Sequence, residues 1–487
     1  MDAELWLGVV LSCSSRAKED VEAVSGDKCK VFWFGHQRKN SSDSPLLDTG
    51  ISTMAREALS AIKREGLMGV IQRYDMNPSL SRCWVWILAF GIFVQVAGEL
   101  FNNDGSRHAV QMYICLFAPS LVLLIWQRFA LYLWGNISGL IFFSMLLWVF
   151  FHGVMHPGSQ GGGGYWFKVS LLICLYVFSV ATLVRRTSKF NFFLLFLVAI
   201  VAFFAWWTIY YQFGVLDRKF EYNAMRFADR FSELGWNGLA DFKHPVVAGL
   251  YFGVFAVVII YLFVGSNINV FQGFFLALAA VGTFGYVMLS FTRGAWFATL
   301  AGIILLLILF PNRRSRYLIC LVGLSLLVAP FVFWNELQYE MLRGVSGRDT
   351  IWRSWFERLP EFWLFGAGAG ASFNYVFDYD SGEYPVWHAH NFYFQLWYEY
   401  GVFGFALFLL LAASLLVKGW QCRTLPLARL GLALMVYALV AMITDIDSVF
   451  TRPSPWWVVV WVPVGILLGI RQPEKQKSDT GYATVAR

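Results

Sequence analysis

Residues 245–265 have the sequence PVVAGLYFGVFAVVIIYLFVG, which contains no charged side chain. An α-helix of about 20 apolar residues is as long as the hydrocarbon core of a bilayer is thick. Apolar stretches of similar length recur along the 487 residues, of which 58% are hydrophobic and only 14% are charged. One soluble core could not bury so much apolar surface. The sequence therefore predicts an all-α polytopic membrane protein.

Working outward from this segment, the apolar stretches predict about 12 transmembrane helices, with boundaries accurate to several residues. The predicted spans are 84–101, 109–126, 129–151, 165–184, 190–214, 245–265, 270–290, 294–310, 317–335, 391–417, 427–445 and 455–470.

Basic residues between the spans predict the orientation, because Lys and Arg are enriched in cytoplasmic connections. Most alternate connections are short and basic, with Arg128, Arg185, Arg186, Lys189, Arg313, Arg314, Arg316, Lys418, Arg423, Arg471 and Lys475. Both termini are then cytoplasmic. The outer connections are 102–108, 152–164, 215–244, the turn near Thr292, the long loop 336–390, and 446–454.

The net charge of +7 would suit a nucleic-acid partner, but the basic residues flank apolar segments instead of alternating with stacking aromatics. We therefore expect no nucleic acid to bind. None of the seven cysteines falls in an outer connection, and there is no CxxC motif. The sequence predicts no disulfides and no cysteine metal site.

Three regions follow from the span pattern. Residues 1–83 form a cytoplasmic N-terminal segment without the basic start of a signal peptide, and 52–73 within it is predicted to be a juxtamembrane amphipathic helix. Residues 84–470 form the transmembrane domain, and 471–487 a cytoplasmic tail. The outer loop 336–390 is too rich in aromatic residues for disorder, and loops this long are usually functional.

The end of this loop has the sequence His388-Ala389-His390-Asn391 directly before an apolar span. Asn391 is a good N-cap, and the positive end of a helix dipole disfavours a charged imidazole. A neutral His390 could accept the proton of an attacking hydroxyl, and His388 is an alternative base. The helix end would also suit an anion such as a diphosphate. Two histidines alone do not make a metal site, and both could be ordinary interfacial residues.

A second feature of the loop is Ser346-Gly347-Arg348-Asp349, a capping-box pattern followed by apolar residues at helical spacing up to Pro360. It predicts an amphipathic helix resting on the bundle. Arg348 lies in its first turn, and a guanidinium can bind two phosphate oxygens together. The alternative is a solvated arginine.

Arg293 lies between two spans with almost no loop to carry it into water, which is costly unless it faces a polar cavity or snorkels to the interface. Glu399, two turns below His390, and Asp445 with Asp447 near the end of another span are candidate supporting residues. Residues 366–370, Gly-Ala-Gly-Ala-Gly, predict a flexible turn, since no βαβ unit surrounds them as in a phosphate-binding loop.

These motifs together resemble the O-antigen ligase and polymerase superfamily, a group of membrane glycosyltransferases with the GT-C type of helical fold. The resemblance covers roughly 285–405. It rests on residues 290–294, 347–352, 360–370, 388–391 and 399–404, and the HxHN motif followed by Glu399-Tyr400-Gly401 is its most specific part. The N-terminal segment 1–83 departs from the family pattern.

The resemblance implies transfer of a glycan from undecaprenyl diphosphate to an acceptor hydroxyl, foremost on lipid A-core, in lipopolysaccharide biosynthesis. It implies a metal-independent, inverting reaction without a cofactor, at the periplasmic face of a bacterial inner membrane, with membrane lipids around the protein. His390 would be the base, Arg293 and Arg348 would hold the diphosphate, and His388, Asn391, Glu399 and Asp445 would support them or supply the alternative base.

Other activities stay open at this point. Within the superfamily, a polysaccharide polymerase would show paired R-x10-G motifs, which are absent from 215–244 and 336–390, and a protein O-oligosaccharyltransferase would use the same chemistry. Outside it, a transporter of polar solutes would also place charges near spans, but the two halves of the chain show no inverted repeat.

Overall fold

A computed structural model describes residues 82–471, apart from 103, 127–132, 134, 187, 188, 343, 345, 346, 380, 381 and 445. The predicted amphipathic helix at 52–73, most of the N-terminal segment and the tail beyond 471 lie outside the described residues. The same holds for two candidate residues, Ser346 and Asp445.

The described residues form an almost entirely helical protein. Its helices are α1 (Arg82–Phe101), α2 (Gly105–Trp126), α3 (Ile137–Met155), α4 (Gly163–Arg186), α5 (Phe190–Val215), α6 (Tyr222–Phe227), α7 (Pro245–Gly265), α8 (Val270–Leu289), α9 (Arg293–Leu309), α10 (Arg313–Val332), α11 (Trp334–Leu342), α12 (Arg348–Phe362), α13 (Phe392–Gln421), α14 (Pro426–Ala441) and α15 (Trp456–Gly469). Short π-helical segments, Tyr113–Phe117 and Tyr211–Val215, lie within α2 and α5.

Within this part of the chain, nine helices are long and apolar enough to cross a membrane, namely α1 to α5, α7, α8, α10 and α13. The all-α polytopic prediction is confirmed. Three shorter apolar helices, α9, α14 and α15, lie where the remaining spans were predicted. A total of 12 crossings and a GT-C fold remain predictions.

Local sequence accounts for several helix ends. Helix α3 begins at Ile137, where the Asn136 side chain caps it by accepting from the amide of Gly139 at 3.0 Å. Asp104 caps α2 in the same way through the amide of Ser106, 2.8 Å away. Such side chains satisfy amides that the first turn of a helix leaves without partners.

Helix α7, the segment that decided the fold, is the centre of the bundle and packs against α5, α8, α9 and α14. In the most apolar 18-residue stretch of α7, 83% of the residues are buried, whereas in that of α10 only 6% are. Tyrosine hydroxyls near α7 find backbone acceptors: Tyr251 donates to the carbonyl of Val96 and Tyr437 to that of Leu250, both at 2.7 Å. Buried polar tips need such partners where water is absent.

The long loop is a small structured layer of its own. It contains α11, α12 and a two-stranded antiparallel hairpin, β1 (Tyr375–Tyr379) and β2 (Gly382–Val386), in which Tyr375 pairs with Val386. The hairpin is the one departure from the all-α prediction among the described residues. Helix α12 continues to Phe362, past Pro360, and Gly347 occupies its N-cap position with φ of 76°.

The predicted outer connections meet at one end of the bundle. The amide of Ala240 donates to the carbonyl of Leu100 at 2.9 Å, and that of Gln160 to the carbonyl of Ala369 at 2.8 Å. The amide of Phe392 donates to Met442 at 2.9 Å. Loops assigned to one face by charge therefore contact one another, and Arg293, Arg348, His388 and His390 lie in them, whereas Glu399 lies within α13.

Candidate active site

The HxHN segment is held firmly at the start of α13. The side-chain oxygen Oδ1 of Asn391 accepts from the backbone amides of Tyr393 and Phe394 at 2.9 and 3.2 Å, so the predicted N-cap is confirmed. His390 has a φ of 49°, a left-handed conformation that histidine adopts more readily than most residues. The ring centroids of His388 and His390 are 4.1 Å apart. The two imidazoles therefore form one pair.

Helix α12 fixes the position of this pair. The indole nitrogen of Trp352 donates to the carbonyl of the buried Ala389 at 3.0 Å, between the two histidines. The indole of Trp355 donates to the carbonyl of Phe394 at 3.1 Å, and its ring stacks on that of Phe394 with centroids 4.6 Å apart. The predicted amphipathic helix is confirmed, and it rests on the first turn of α13.

The histidines are neutral at neutral pH. Burial lowers the pKa of His390 to about 4, with further lowering by the charges of His388, Arg348 and His244. Burial also lowers the pKa of His388, although the carboxylate of Asp447 opposes the shift. Removal from water is thus the largest of these causes, and the sequence had not suggested it.

Arg348, the first residue of α12, is close enough to both histidines to lower the pKa of each. Arg348 directly follows the N-cap residue Gly347, and it is half-buried. The structure therefore brings a neutral imidazole pair and a guanidinium together, as the sequence predicted.

Arg293 has different neighbours. It is the first residue of α9, and its Nη1 donates to the carbonyl of Gly344 at 2.8 Å. Its Nε lies 3.7 Å from a carboxylate oxygen of Glu340. Arg293 thus contacts the segment that leads into Arg348, and it pairs with a carboxylate that the sequence did not single out.

Several residues of the 215–244 loop complete this end of the bundle. Arg226 and Tyr222 on α6 both bind Glu340. Arg230 donates to the carbonyls of Ser290 and Phe291 at 3.0 and 3.2 Å, and so holds the turn before Arg293. Sequence reasoning missed all of them. The signal was available, because a loop assigned to the outer face carries an unusual number of basic residues.

Glu399 lies apart from the histidines. Its buried carboxylate accepts from the amide of Gly370 and from the side chain of Gln395, each at 2.9 Å. Gln395 in turn accepts from the amide of Ala389 at 3.2 Å. Glu399 therefore acts as a brace that ties the glycine-rich segment to the HxHN motif through one intervening side chain.

The glycine-rich segment 366–370 is a packed element, so the expectation of a flexible turn is wrong. Besides the bond to Glu399, the amide of Ala369 donates to Ser159 at 3.1 Å, and His152 binds the carbonyl of Phe365 at 2.6 Å. A Cβ on Gly368, where φ is 117°, would come within 2.3 Å of the backbone at Gly158. Glycine is required there because two backbones touch.

Two candidate aspartates near the end of α14 remain. Asp445 falls outside the described residues, whereas Asp447 lies near enough to His388 to influence its pKa. Among the described residues, no cluster of three or more His, Cys, Asp or Glu side chains could hold a metal ion.

Comparison with known proteins finds a similarity that covers this site. Residues 278–409 match the family model described as O-Antigen ligase. The O-antigen ligase of Pseudomonas aeruginosa is 22% identical over 402 residues, which are 82% of this chain and 93% of that protein. The chain is thus similar to O-antigen ligases. The matched segment includes Arg293, Arg348, His388, His390 and Glu399. This similarity supports a membrane enzyme of the glycosyltransferase type.

Proposed function

We propose that this protein acts as an O-antigen ligase and transfers a glycan from undecaprenyl diphosphate to an acceptor hydroxyl on lipid A-core, at the periplasmic face of the inner membrane. The observation that carries the proposal is the juxtaposition of a neutral imidazole pair with Arg348, inside the segment matched by the family model. A base and a cation are the two groups that such a transfer requires.

In the proposed reaction, the acceptor oxygen attacks the anomeric carbon of the glycan and forms the new glycosidic bond. The bond from that carbon to the diphosphate oxygen breaks, and its electron pair leaves with the diphosphate. The hydroxyl proton passes to a ring nitrogen of His390. Attack opposite the leaving group inverts the configuration of the anomeric carbon.

Arginine side chains replace a metal ion in this proposal. A lipid diphosphate ester carries two negative charges, and its release is easier when cations hold its oxygens. Arg348 and Arg293 supply two permanent positive charges with paired donors that match phosphate oxygens. His388 and Asp447 support His390, and Glu399 braces the segment from below.

The protonation of His390 fits this role. A free-state pKa of about 4 leaves the ring able to accept a proton at neutral pH, although such a base is weak. Two negative charges arriving with the donor favour the imidazolium and raise the pKa toward the working pH. The base then becomes effective when the donor is bound.

Purified variants test the proposal with a lipid-linked glycan donor. His390→Ala and Arg348→Ala should abolish transfer while the proteins still fold, whereas Arg353→Ala, an exposed arginine on the same helix, should keep it. His388→Ala should retain part of the activity if His390 is the base. Wild-type turnover in both the His390 and Arg348 variants would refute the assignment.

The glycolipids of a deletion strain identify the acceptor reaction. Long polymer left on its lipid carrier beside bare lipid A-core is the result expected for a ligase. Cores capped with a single repeat would indicate a polymerase instead. Intact lipopolysaccharide with loss of glycosylated protein would indicate a protein O-oligosaccharyltransferase.

A further inference from the structure

Glu340 on α11 joins two arginines from different parts of the chain. The Nε of Arg226 and the hydroxyl of Tyr222 both donate to one carboxylate oxygen, the latter at 2.8 Å. The Nε of Arg293 lies 3.7 Å from the other oxygen. Arg226 and Arg293 are 114 and 47 positions from Glu340 in the sequence. The cluster therefore connects α6, α9 and α11 through charge.

The three charges depend on one another. The side chains of Arg226 and Glu340 are only 8% and 12% exposed, and that of Arg293 is 30% exposed. Burial alone would raise the pKa of Glu340, but the hydrogen bonds from Arg226 and Tyr222 and the charges of both arginines hold it below its usual value. Glu340 is thus an anion at neutral pH, and a buried guanidinium needs such a partner.

The segment that carries Glu340 is otherwise loosely attached. None of the nine residues of α11 is fully buried. Apart from the Glu340 contacts, the links to the bundle include Tyr339, whose ring meets those of Tyr222 and Phe227, and the carbonyl of Gly344, which accepts from Arg293. Segments with little buried surface open at low cost in free energy.

We propose that Glu340 is a resident counter-ion for Arg226 and Arg293, and that the diphosphate of the donor displaces it. This inference deepens the proposed function and rests on it. In the empty site, one carboxylate faces two guanidinium groups. A diphosphate diester brings two negative charges and therefore matches the pair more completely than Glu340 does.

Displacement has a structural consequence. When the arginines turn to phosphate oxygens, α11 loses the ion pairs that hold it, and the bond from Arg293 to Gly344 is lost as well. Gly344 lies four residues before Arg348. Donor binding is thereby coupled to the position of Arg348, the other arginine that is proposed to hold the diphosphate. Glu340 acts as a positioning residue, since it does not touch the reacting atoms.

The test uses inorganic pyrophosphate as the probe and the purified full-length protein. Because a competing anion is removed, Glu340→Gln should bind pyrophosphate more tightly by a factor of about 5 or more, the usual range for coupled equilibria. Glu336→Gln, one turn earlier on α11, is the matched control and should bind as the wild type does. Equal or weaker binding by Glu340→Gln would overturn the inference.

Hydrogen exchange of the wild-type protein provides a second test that needs no variant. Pyrophosphate should speed amide exchange in residues 334–342, and Glu340→Gln should show fast exchange before any pyrophosphate is added. Unchanged or slower exchange in the wild type would also overturn the inference. Both measurements are independent of transfer, so wild-type turnover in both His390→Ala and Arg348→Ala would refute the proposed function without deciding this inference.

Discussion

Glu399 offers the sharpest test of how the site is held together. Only 4% of the residue is exposed, and its carboxylate accepts two hydrogen bonds of 2.9 Å, from the partly buried Gly370 and the buried Gln395. Glu399→Ala removes the acceptor of both donors. A buried donor without an acceptor costs about 1–3 kcal/mol and the partly buried amide of Gly370 costs less, so we expect the free energy of unfolding to fall by at least about 1–3 kcal/mol.

The effect should extend to catalysis. Gln395, once released from Glu399, no longer holds the amide of Ala389, which lies between the two histidines. We therefore expect kcat to fall in Glu399→Ala more than KM for the donor rises, because the brace acts on the backbone between the two histidines. Glu399→Gln keeps one acceptor oxygen and should show an intermediate loss of both stability and kcat.

Thermal unfolding of the purified protein, followed by tryptophan fluorescence, measures the stability part. Glu361→Ala is the control: its side chain is 65% exposed and pairs with Arg358 at 3.5 Å on the surface of α12. Such exposed pairs contribute about 0–1 kcal/mol. If Glu399→Ala unfolds at the same temperature as Glu361→Ala, the brace does not exist as we describe it.

Two further predictions concern backbone shape and protonation. Gly401→Ala should strongly destabilise the protein in thermal unfolding, because φ is 65° and the new Cβ would lie 2.2 Å from the carbonyl oxygen of Leu364. Gly323→Ala is the control. Its Cβ would meet nothing within 4 Å, so this variant should be neutral or slightly stabilising. The ring of His390 should remain neutral as pH falls through 6.5 and protonate only near pH 4, and Arg348→Gln should raise that pKa by removing a cation. An NMR titration of the imidazole measures both values, and a wild-type pKa near 6.5 would contradict the burial of His390.

Local sequence was sufficient for the elements of the site. Asn391 could be recognised as an N-cap because the apolar span begins at the next residue, and Arg348 as the start of a helix because apolar residues follow at helical spacing. These predictions depend on neighbours within a few positions. For the same reason Asn136 could have been recognised as the N-cap of α3.

The partners of charged residues could not be predicted from local sequence. Arg293 was predicted to share a cavity with His390, but its ion pair is with Glu340, which is 47 residues away. Hydropathy assigns a loop to a face of the membrane and does not specify the path of that loop across the face. Arg226 and His244 were missed for this reason, although both lie in a loop that was predicted to be on the same face as the site.

Local sequence patterns predicted a helical membrane protein, which the structure confirms, and named His390 and Arg348 as candidate site residues at one end of the bundle. Apolar length, helix capping and the distribution of basic residues are one-dimensional signals, so they can be read without a structure. The packing of the loops was needed to show that burial keeps His390 neutral, that Glu399 braces the glycine-rich segment, and that Glu340 pairs with Arg293. Each of these depends on contacts between loops distant in sequence, and on how far packing excludes water from them.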